Sequence, residues 1–234
     1  GDRCCRKLDA GKKLALAHHK TEMVLISNRK AVQQARISVG ECIIESKRNV
    51  RHLGVMLDDR LNFNSHVDYA CERAAKVISA LSRIMPNNSA ISSSKKRLLA
   101  SVSTSVLRYA APVWVTALQT RRNRSRLNST FRLMAMRVCS AYRTISSEAV
   151  YVIAGTIPID LLLEEENECY RDRGISGVRR RARADTVRKW QQQWDNAENG
   201  RWTHRLIPNV STWLDWKHGE VNFHLTQFLS GHGC

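Results

Sequence analysis

The stretch TRRNRSRLNSTFRLMAMRVCSAY, residues 120–142, decides how the fold is read. Leu127, Phe131, Met134 and Val138 recur at steps of four, three and four, the period of a helix with one apolar side. Arg122, Arg124, Arg126, Arg132 and Arg137 fall mostly on the other faces. Neither Gly nor Pro interrupts the run, and it contains no acid. One side of this helix can pack while the other stays wet and strongly positive.

Upstream the same period continues. Val67, Cys71, Ala74, Ile78, Leu81 and Met85 predict a helix over about 64–85, ended by Pro86-Asn87-Asn88. Ser92 to Ser94 can cap a second helix with Leu99, Val102, Val106 and Tyr109 on one face, interrupted or bent by Pro112. Residues 1–60 read differently. Met23 to Ile26 is a short β-rich run. Ile37 to Val39 and Cys42 to Ile44 flank a Gly-Glu turn and predict a hairpin. Val50 to Leu57 reads as one further strand ending at Asp58-Asp59, with a bulge or close backbone approach at Gly54. Downstream, short helices are expected around Glu148 to Ala154 and from Pro158, which suits a first helical turn, to Tyr170. Gly174 to Gly177 is the best linker candidate, and five of the six Trp follow residue 189. The expected class is α+β, mainly α.

The chain has 234 residues and a formal net charge of +17. Between Arg73 and Ser147 there is no Asp or Glu, yet 14 Lys and Arg, so that span carries +14. A short charge run is usually a solvated face. Seventy-five residues without an acid are better explained by a polyanionic partner, nucleic acid before a membrane surface. Arg outnumbers Lys 27 to 11, which favours bidentate phosphate contacts. A second cluster at Arg171, Arg173, Arg179 to Arg181, Arg183, Arg188 and Lys189 follows an acidic patch, Glu164 to Glu166 with Glu168. That patch either pairs with arginines or forms a solvated face. The best membrane-spanning candidate, Leu98 to Thr120, is broken by Arg108, so no membrane is expected.

Site motifs are few. Asp58-Asp59 could hold divalent metal at a strand end, but a polymerase would place an aromatic where Met56 stands; a polar turn is the favoured reading. His18-His19 would chelate poorly. His218, His224, His232 and Cys234 match no standard zinc spacing. The seven Cys form no CxxC pair, and Cys71 and Cys139 read as core thiols in a cytosolic or nuclear setting. The Trp-rich tail could stack bases, although an aromatic core is the commoner use. No nucleotide-loop or hydrolase signature is present.

Several segments resemble non-LTR retrotransposon reverse transcriptases, most closely those of type-1 elements of insect ribosomal DNA. His19 to Ile26 (HKTEMVLI) is similar to a segment following the catalytic palm, and Arg51 to Asp58 (RHLGVMLD) to the primer-grip strand. LNFNSH (61–66), YAAPVW (109–114), Phe131 to Thr144, IAGTIPI (153–159), GRWT (200–203) and FLSGHG (228–233) continue the likeness. The resemblance implies a palm end at 1–61 with primer-grip-like strands, a basic helical thumb and connection at 62–173, and an Arg/Trp-rich extension at 174–234. The family's catalytic Tyr/Phe-Ala-Asp-Asp would precede Gly1, and its zinc-like motif would follow Cys234. The chain therefore reads as a C-terminal piece of a Pol polyprotein whose parent is an RNA-directed DNA polymerase with endonuclease, using Mg²⁺ held elsewhere and acting in the nucleus.

The implied partners are element RNA, RNA–DNA hybrid and target DNA. The candidate contacts are Lys20, His52, Gly54, Lys95, Lys96, Arg97, Arg121, Arg122, Arg124, Arg126, Arg132 and Arg137. No catalytic or metal-ligating residue is expected within the chain. The alternative is a stand-alone, non-enzymatic helical nucleic-acid-binding protein derived from a retroelement. A zinc-dependent tail is a third reading.

Overall fold

The computed structural model describes residues 20–27, 34–39, 42–84, 91–215 and 221–232, the Ser93 side chain excepted. The chain divides into two units, Gly1–His66 and Val67–Cys234. Short strands make up the first and helices the second, so the fold is mainly α with a small β part.

In the first unit β1 (Met23–Val24) runs parallel to β3 (Cys42–Lys47), which pairs antiparallel with β2 (Arg36–Val39). Val39 lies opposite Cys42, the register of the expected hairpin. The single strand expected over 50–57 is in fact two. β4 (Asn49–His52) and β5 (Val55–Asp58) form a hairpin with His52 opposite Val55. Leu53 (φ +46°) and Gly54 (φ +85°) are the two turn residues. Two successive left-handed residues match the twist of the flanking strands, so Gly54 closes a turn and does not bulge a strand.

Asp58 ends β5 and is almost buried. Its carboxylate accepts from the amides of Arg60 (3.0 Å), Asn62 (2.9 Å) and Phe63 (2.6 Å). That loop includes Leu61 and Phe63 at positive φ, conformations that cost a non-glycine residue energy and that the carboxylate holds in place. The favoured reading of Asp58-Asp59 as a polar turn is what the structure contains. Nearby, His66 Nδ1 accepts from the Met56 amide at 3.3 Å, and burial holds its pKa down at about 4.

Helix α1 (Asn64–Ile84) begins in the first unit and lies mainly in the second. Val67, Cys71, Ala74 and Ile78 are its buried stripe, as expected; Met85 and Pro86 to Asn88 lie outside the described residues. Helix α2 (Ser93–Arg108) starts at Ser92, whose Oγ accepts from Lys95 N at 3.3 Å. Its buried face differs from the expected one. Lys96, Ala100, Ser103 and Leu107 point inward, while Val102 and Tyr109 are about half exposed. Small Ala100 and Ser103 let α2 lie close on its neighbour, and Lys96 is drawn to that neighbour's C-terminal end. The helix stops at Arg108, four residues before Pro112, where the proline ring would meet the helical carbonyl. Ala110 turns left-handed (φ +53°), and α3 (Ala111–Trp114) with a 3₁₀ turn (Val115–Gln119) continues at an angle of 43°. Among the described residues no single helix is long and apolar enough to cross a membrane.

Helix α4 (Arg121–Cys139) is central and packs against α2, α5 (Ser147–Ala154) and α6 (Ile159–Arg171). Leu127, Phe131, Met134 and Val138 are buried as its periodicity requires. Helix α5 is capped by Ser146 Oγ, and Pro158 stands immediately before α6. Across the Gly174–Gly177 turn, α7 (Val178–Asp195) packs back on α6, so that segment joins two helices of one unit. Three short helices follow: α8 (Arg201–Leu206), α9 (Val210–Asp215) and α10 (Phe223–Ser230). Trp190, Trp194 and Trp213 are buried and Trp202 is partly exposed, so the tail's tryptophans among the described residues are chiefly core; Trp216 lies outside them. Trp194 Nε1 donates to Ile207 O at 2.8 Å, tying α7 to the residue after α8. Helix α10 returns to α4: Thr226 Oγ1 donates to Cys139 O (2.5 Å) and Gln227 Nε2 to Ser140 O (3.3 Å). Carbonyls at a helix end that lack intrahelical donors are thereby satisfied.

Candidate nucleic-acid interface

The acidic patch resolves into ion pairs. On α6, Glu165 meets Arg183 (2.9 Å), Glu164 meets Lys189 (3.5 Å), Glu168 meets Arg181 (3.8 Å) and Glu166 meets Arg108 (2.6 Å). Asp172, just past α6, also holds Arg181 at 2.7 Å. Arg181, Arg183 and Lys189 of the second basic cluster are thus spent against α6 and Asp172, and Arg108 of the acid-free span with them, while Arg171, Arg173, Arg179 and Arg180 are exposed. Arg188 pairs with Asp185 on its own helix (2.8 Å).

Most basic side chains on α4 remain at the surface. Arg121, Arg122, Arg124 and Arg126 are all exposed in its first turn and a half. Arg122 pairs with Asp68 at 2.9 Å and Arg126 approaches the same carboxylate at 3.8 Å. Such exposed pairs are weak, about 0–1 kcal/mol, and yield readily to a phosphate. Arg121 and Arg124 have no carboxylate at ion-pair distance among the described residues. The first turn holds no acid, and Thr120 supplies no side-chain cap. Four arginines therefore crowd the positive end of a helix dipole, an arrangement that is unfavourable by itself and that an anion relieves.

Two of the expected contacts, Lys96 and Arg132, carry a structural duty, and a third, Arg137, is partly withdrawn from solvent. Lys96 is 4% exposed, and its Nζ lies 2.7 Å from Ser140 Oγ at the C-terminal end of α4. Its charge is placed against the negative end of that helix and is withdrawn from solvent, which removes it from any phosphate surface. Arg132 donates to the Arg143 carbonyl (2.7 Å) and to the Ile145 carbonyl, so its guanidinium staples the loop after α4. Arg137 is half-buried, beside Tyr142 and Arg143 in a groove between α1 and α4.

The other expected residues lie apart from α4 in the chain. Lys95 and Arg97 are exposed on α2, and Arg97 reaches towards Gly155, where a Cβ would stand 3.3 Å from its Nη2. Lys20 is exposed ahead of β1, and His52 and Gly54 form the β4–β5 hairpin tip. These three belong to the first unit. Sequence reading missed Asp68, and it named Glu166 in the acidic patch without its partner Arg108, because each acid meets its arginine across more than fifty residues of chain.

No three His, Cys, Asp or Glu side chains among the described residues group as a metal site. His232 Nε2 lies 2.6 Å from Thr144 Oγ1 and its Nδ1 3.0 Å from Ser230 Oγ; His18, His19, His218 and Cys234 lie outside the described residues. The Cys139 thiol is pushed up to about 12 and Cys71 is also raised, both by burial, which fits their reading as core thiols.

No protein-family model matches the chain, and no solved structure does. Curated proteins do. The 115 kDa protein in type-1 retrotransposable element R1DM of Drosophila melanogaster is 29% identical over 209 residues, 80% of this chain and 20% of that protein. The retrovirus-related Pol polyprotein from type-1 retrotransposable element R1 of Bradysia coprophila is 25% identical over 100% of this chain and 24% of its own length. Its namesake in Nasonia vitripennis is 25% identical over 94% of this chain and 72% of its own length. The chain thus spans about a fifth to a quarter of the first two relatives. It is a relative of the Pol polyproteins of R1 type-1 retrotransposable elements, the non-LTR class that its motifs resemble.

Proposed function

We propose that this chain serves a retroelement Pol protein as the part that grips primer–template or target nucleic acid behind the polymerase centre. Residues 1–61 would close the palm, 62–173 would form the thumb and connection, and 174–234 an extension folded against the thumb helices. The observation that carries the reading is the N-terminal end of α4, where Arg121, Arg122, Arg124 and Arg126 are exposed on an uncapped, acid-free helix start. A polymerase must hold its duplex after each addition whatever the sequence, and phosphate contacts position a duplex without reading it.

The parent's chemistry would be RNA-directed DNA synthesis with an associated endonuclease, acting in the nucleus on element RNA and target DNA. Its Mg²⁺ would be held by aspartates of a Tyr/Phe-x-Asp-Asp motif, which this chain does not contain. The one Asp-Asp pair follows Met56-Leu57, and Asp58 is committed to three backbone amides. The test is direct. The purified chain, given an RNA–DNA hybrid, Mg²⁺ and nucleotides, is expected to bind the hybrid and not to extend the primer. Extension would overturn the division of labour, and failure to bind would overturn the grip.

A further inference from the structure

Helices α1 and α4 meet near their starts, where Arg122 and Arg126 reach Asp68. Further along the same seam a groove of about 480 Å³ lies between them, within the range of roughly 300–1,000 Å³ for small-ligand sites. Ala75, Ile78 and Ser79 of α1 form one wall, and Leu133, Met136 and Arg137 of α4 the other. Tyr142 and Arg143, in the loop after α4, complete it. Leu133 is 44% exposed and Tyr142 46%, so two large side chains face solvent beside two guanidinium groups. Both walls come from the acid-free span, and no carboxylate lines the groove among the described residues. Along the chain the nearest acids are Glu72, three residues before Ala75, and Glu148, five after Arg143. Glu148 lines a different cavity, with Tyr151 and Trp190.

The loop that presents Tyr142 and Arg143 is held from several sides. Arg132 donates to the Arg143 and Ile145 carbonyls, and Gln227 Nε2 to the Ser140 carbonyl. His232 Nε2 lies 2.6 Å from Thr144 Oγ1. The Tyr142 ring stands edge-on to Phe223, at 5.7 Å and 83°, and beside His232 at 5.8 Å. An exposed ring fixed in this way loses little freedom when another flat group lies against it.

We propose that this groove takes an unpaired nucleotide of a single strand, its base against Tyr142 and Leu133 and its phosphates on Arg137 and Arg143. This rests on the nucleic-acid reading given above and extends it from the duplex to a single strand. Stacking on an aromatic ring serves any base, and cations beside the ring track the backbone. An apolar peptide would lay uncharged surface over two guanidinium groups, and a simple anion would leave Leu133 and Tyr142 wet. A nucleotide joins an aromatic base to a phosphate and matches both. Arg126 and Arg137 lie on one side of α4, about 16 Å apart along its axis, so one strand can run from the arginine-rich helix start into the groove.

The experiment uses the whole chain with a short labelled RNA single strand, the same strand without its bases, and a paired RNA–DNA hybrid. Binding is read by fluorescence anisotropy at fixed salt. The intact strand is expected to bind about tenfold tighter than the abasic strand of equal charge. Tyr142→Ala is expected to remove that difference and leave hybrid binding unchanged, while Tyr142→Phe keeps it. Ser79→Glu, which places an acid at an exposed position of the facing wall, is expected to weaken single-strand binding about tenfold and leave the hybrid bound. A single strand left unbound, or bound equally with and without its bases, would overturn the groove site and leave the grip on the hybrid standing. So would a base preference that survives both Tyr142→Ala and Ser79→Glu. Anionic lipid vesicles that lose binding on Ser79→Glu while the single strand does not would assign the groove to a membrane surface and overturn the nucleotide. Binding of neither strand nor hybrid would overturn both readings. Ser79 is exposed, so its variant decides the matter even if Tyr142→Ala does not fold.

Discussion

Asp58, Lys96 and His66 show how far a residue's type can mislead without its surroundings. An Asp-Asp pair at a strand end invites a metal, yet Asp58 closes a loop by accepting three amides. Asp58→Ala is expected to cost about 3–5 kcal/mol in urea unfolding, since three hydrogen bonds to a charged group, about 1.5–3 kcal/mol each, are lost and water replaces them in part. Lys96 sits in a run of three basic residues that reads as one phosphate-binding patch. The helix turns it inward while its neighbours Lys95 and Arg97 stay outside. Lys96→Ala should therefore lower stability and leave the salt dependence of nucleic-acid binding unchanged, whereas Arg121→Ala should do the reverse. His66 gives a pH signature. Burial lowers its folded-state pKa from 6.5 to about 4, so the unfolded chain takes up its proton first as the solution is acidified. The stability contributed by neutral His66 is complete above pH 6.5 and is lost as pH falls from 6.5 towards 4. His66→Gln should flatten that part of a melting-temperature profile; an unchanged profile would remove His66 as its cause.

At the scale of elements, periodicity was a good guide wherever one strong apolar stripe faced the core. It located α1 and α4 and their buried residues from Val67 to Val138. It misassigned the inner face of α2, where small and polar residues, Ala100 and Ser103 beside Lys96, pack inward and Val102 and Leu98 face out. Hydrophobicity carries no signal for close packing by small side chains. It also missed the β4–β5 turn, because a Leu before the Gly concealed a two-residue left-handed turn. The short helices α8 and α9 had no period long enough to read. Their placement depends on close approach at Gly200 (φ +75°), where a Cβ would stand 2.9 Å from Ser146 Oγ and 3.1 Å from Ala149 Cβ. Gly200→Ala is expected to destabilise by about 1–3 kcal/mol, from backbone strain and the clash together. A melting temperature equal to that of the unaltered chain would contradict this packing.

For the whole molecule, net charge was the most legible property and the least specific. The sequence shows an acid-free span of 75 residues, but the cancelling acids lie outside it, at Asp68 and on α6. Ion pairing across the fold therefore narrows a diffuse +17 to a few places, among them the start of α4 and the start of α7, where Arg179 and Arg180 are exposed beside the paired Arg181 and Arg183. The candidate site was legible in its Arg122, Arg124 and Arg126 and illegible in Lys96 and Arg132, whose partners come from distant turns. The measurement that tests the central claim most directly is the salt dependence of hybrid or duplex binding by the whole chain, with and without Arg121, Arg122, Arg124 and Arg126 replaced together by Ala. With about five phosphate contacts the log–log slope on B-DNA should lie near −4 to −5, and the fourfold variant should lose about 3–4 of it on every sequence alike. Binding insensitive to salt, or a slope untouched by the four substitutions, would contradict a nucleic-acid grip at the start of α4.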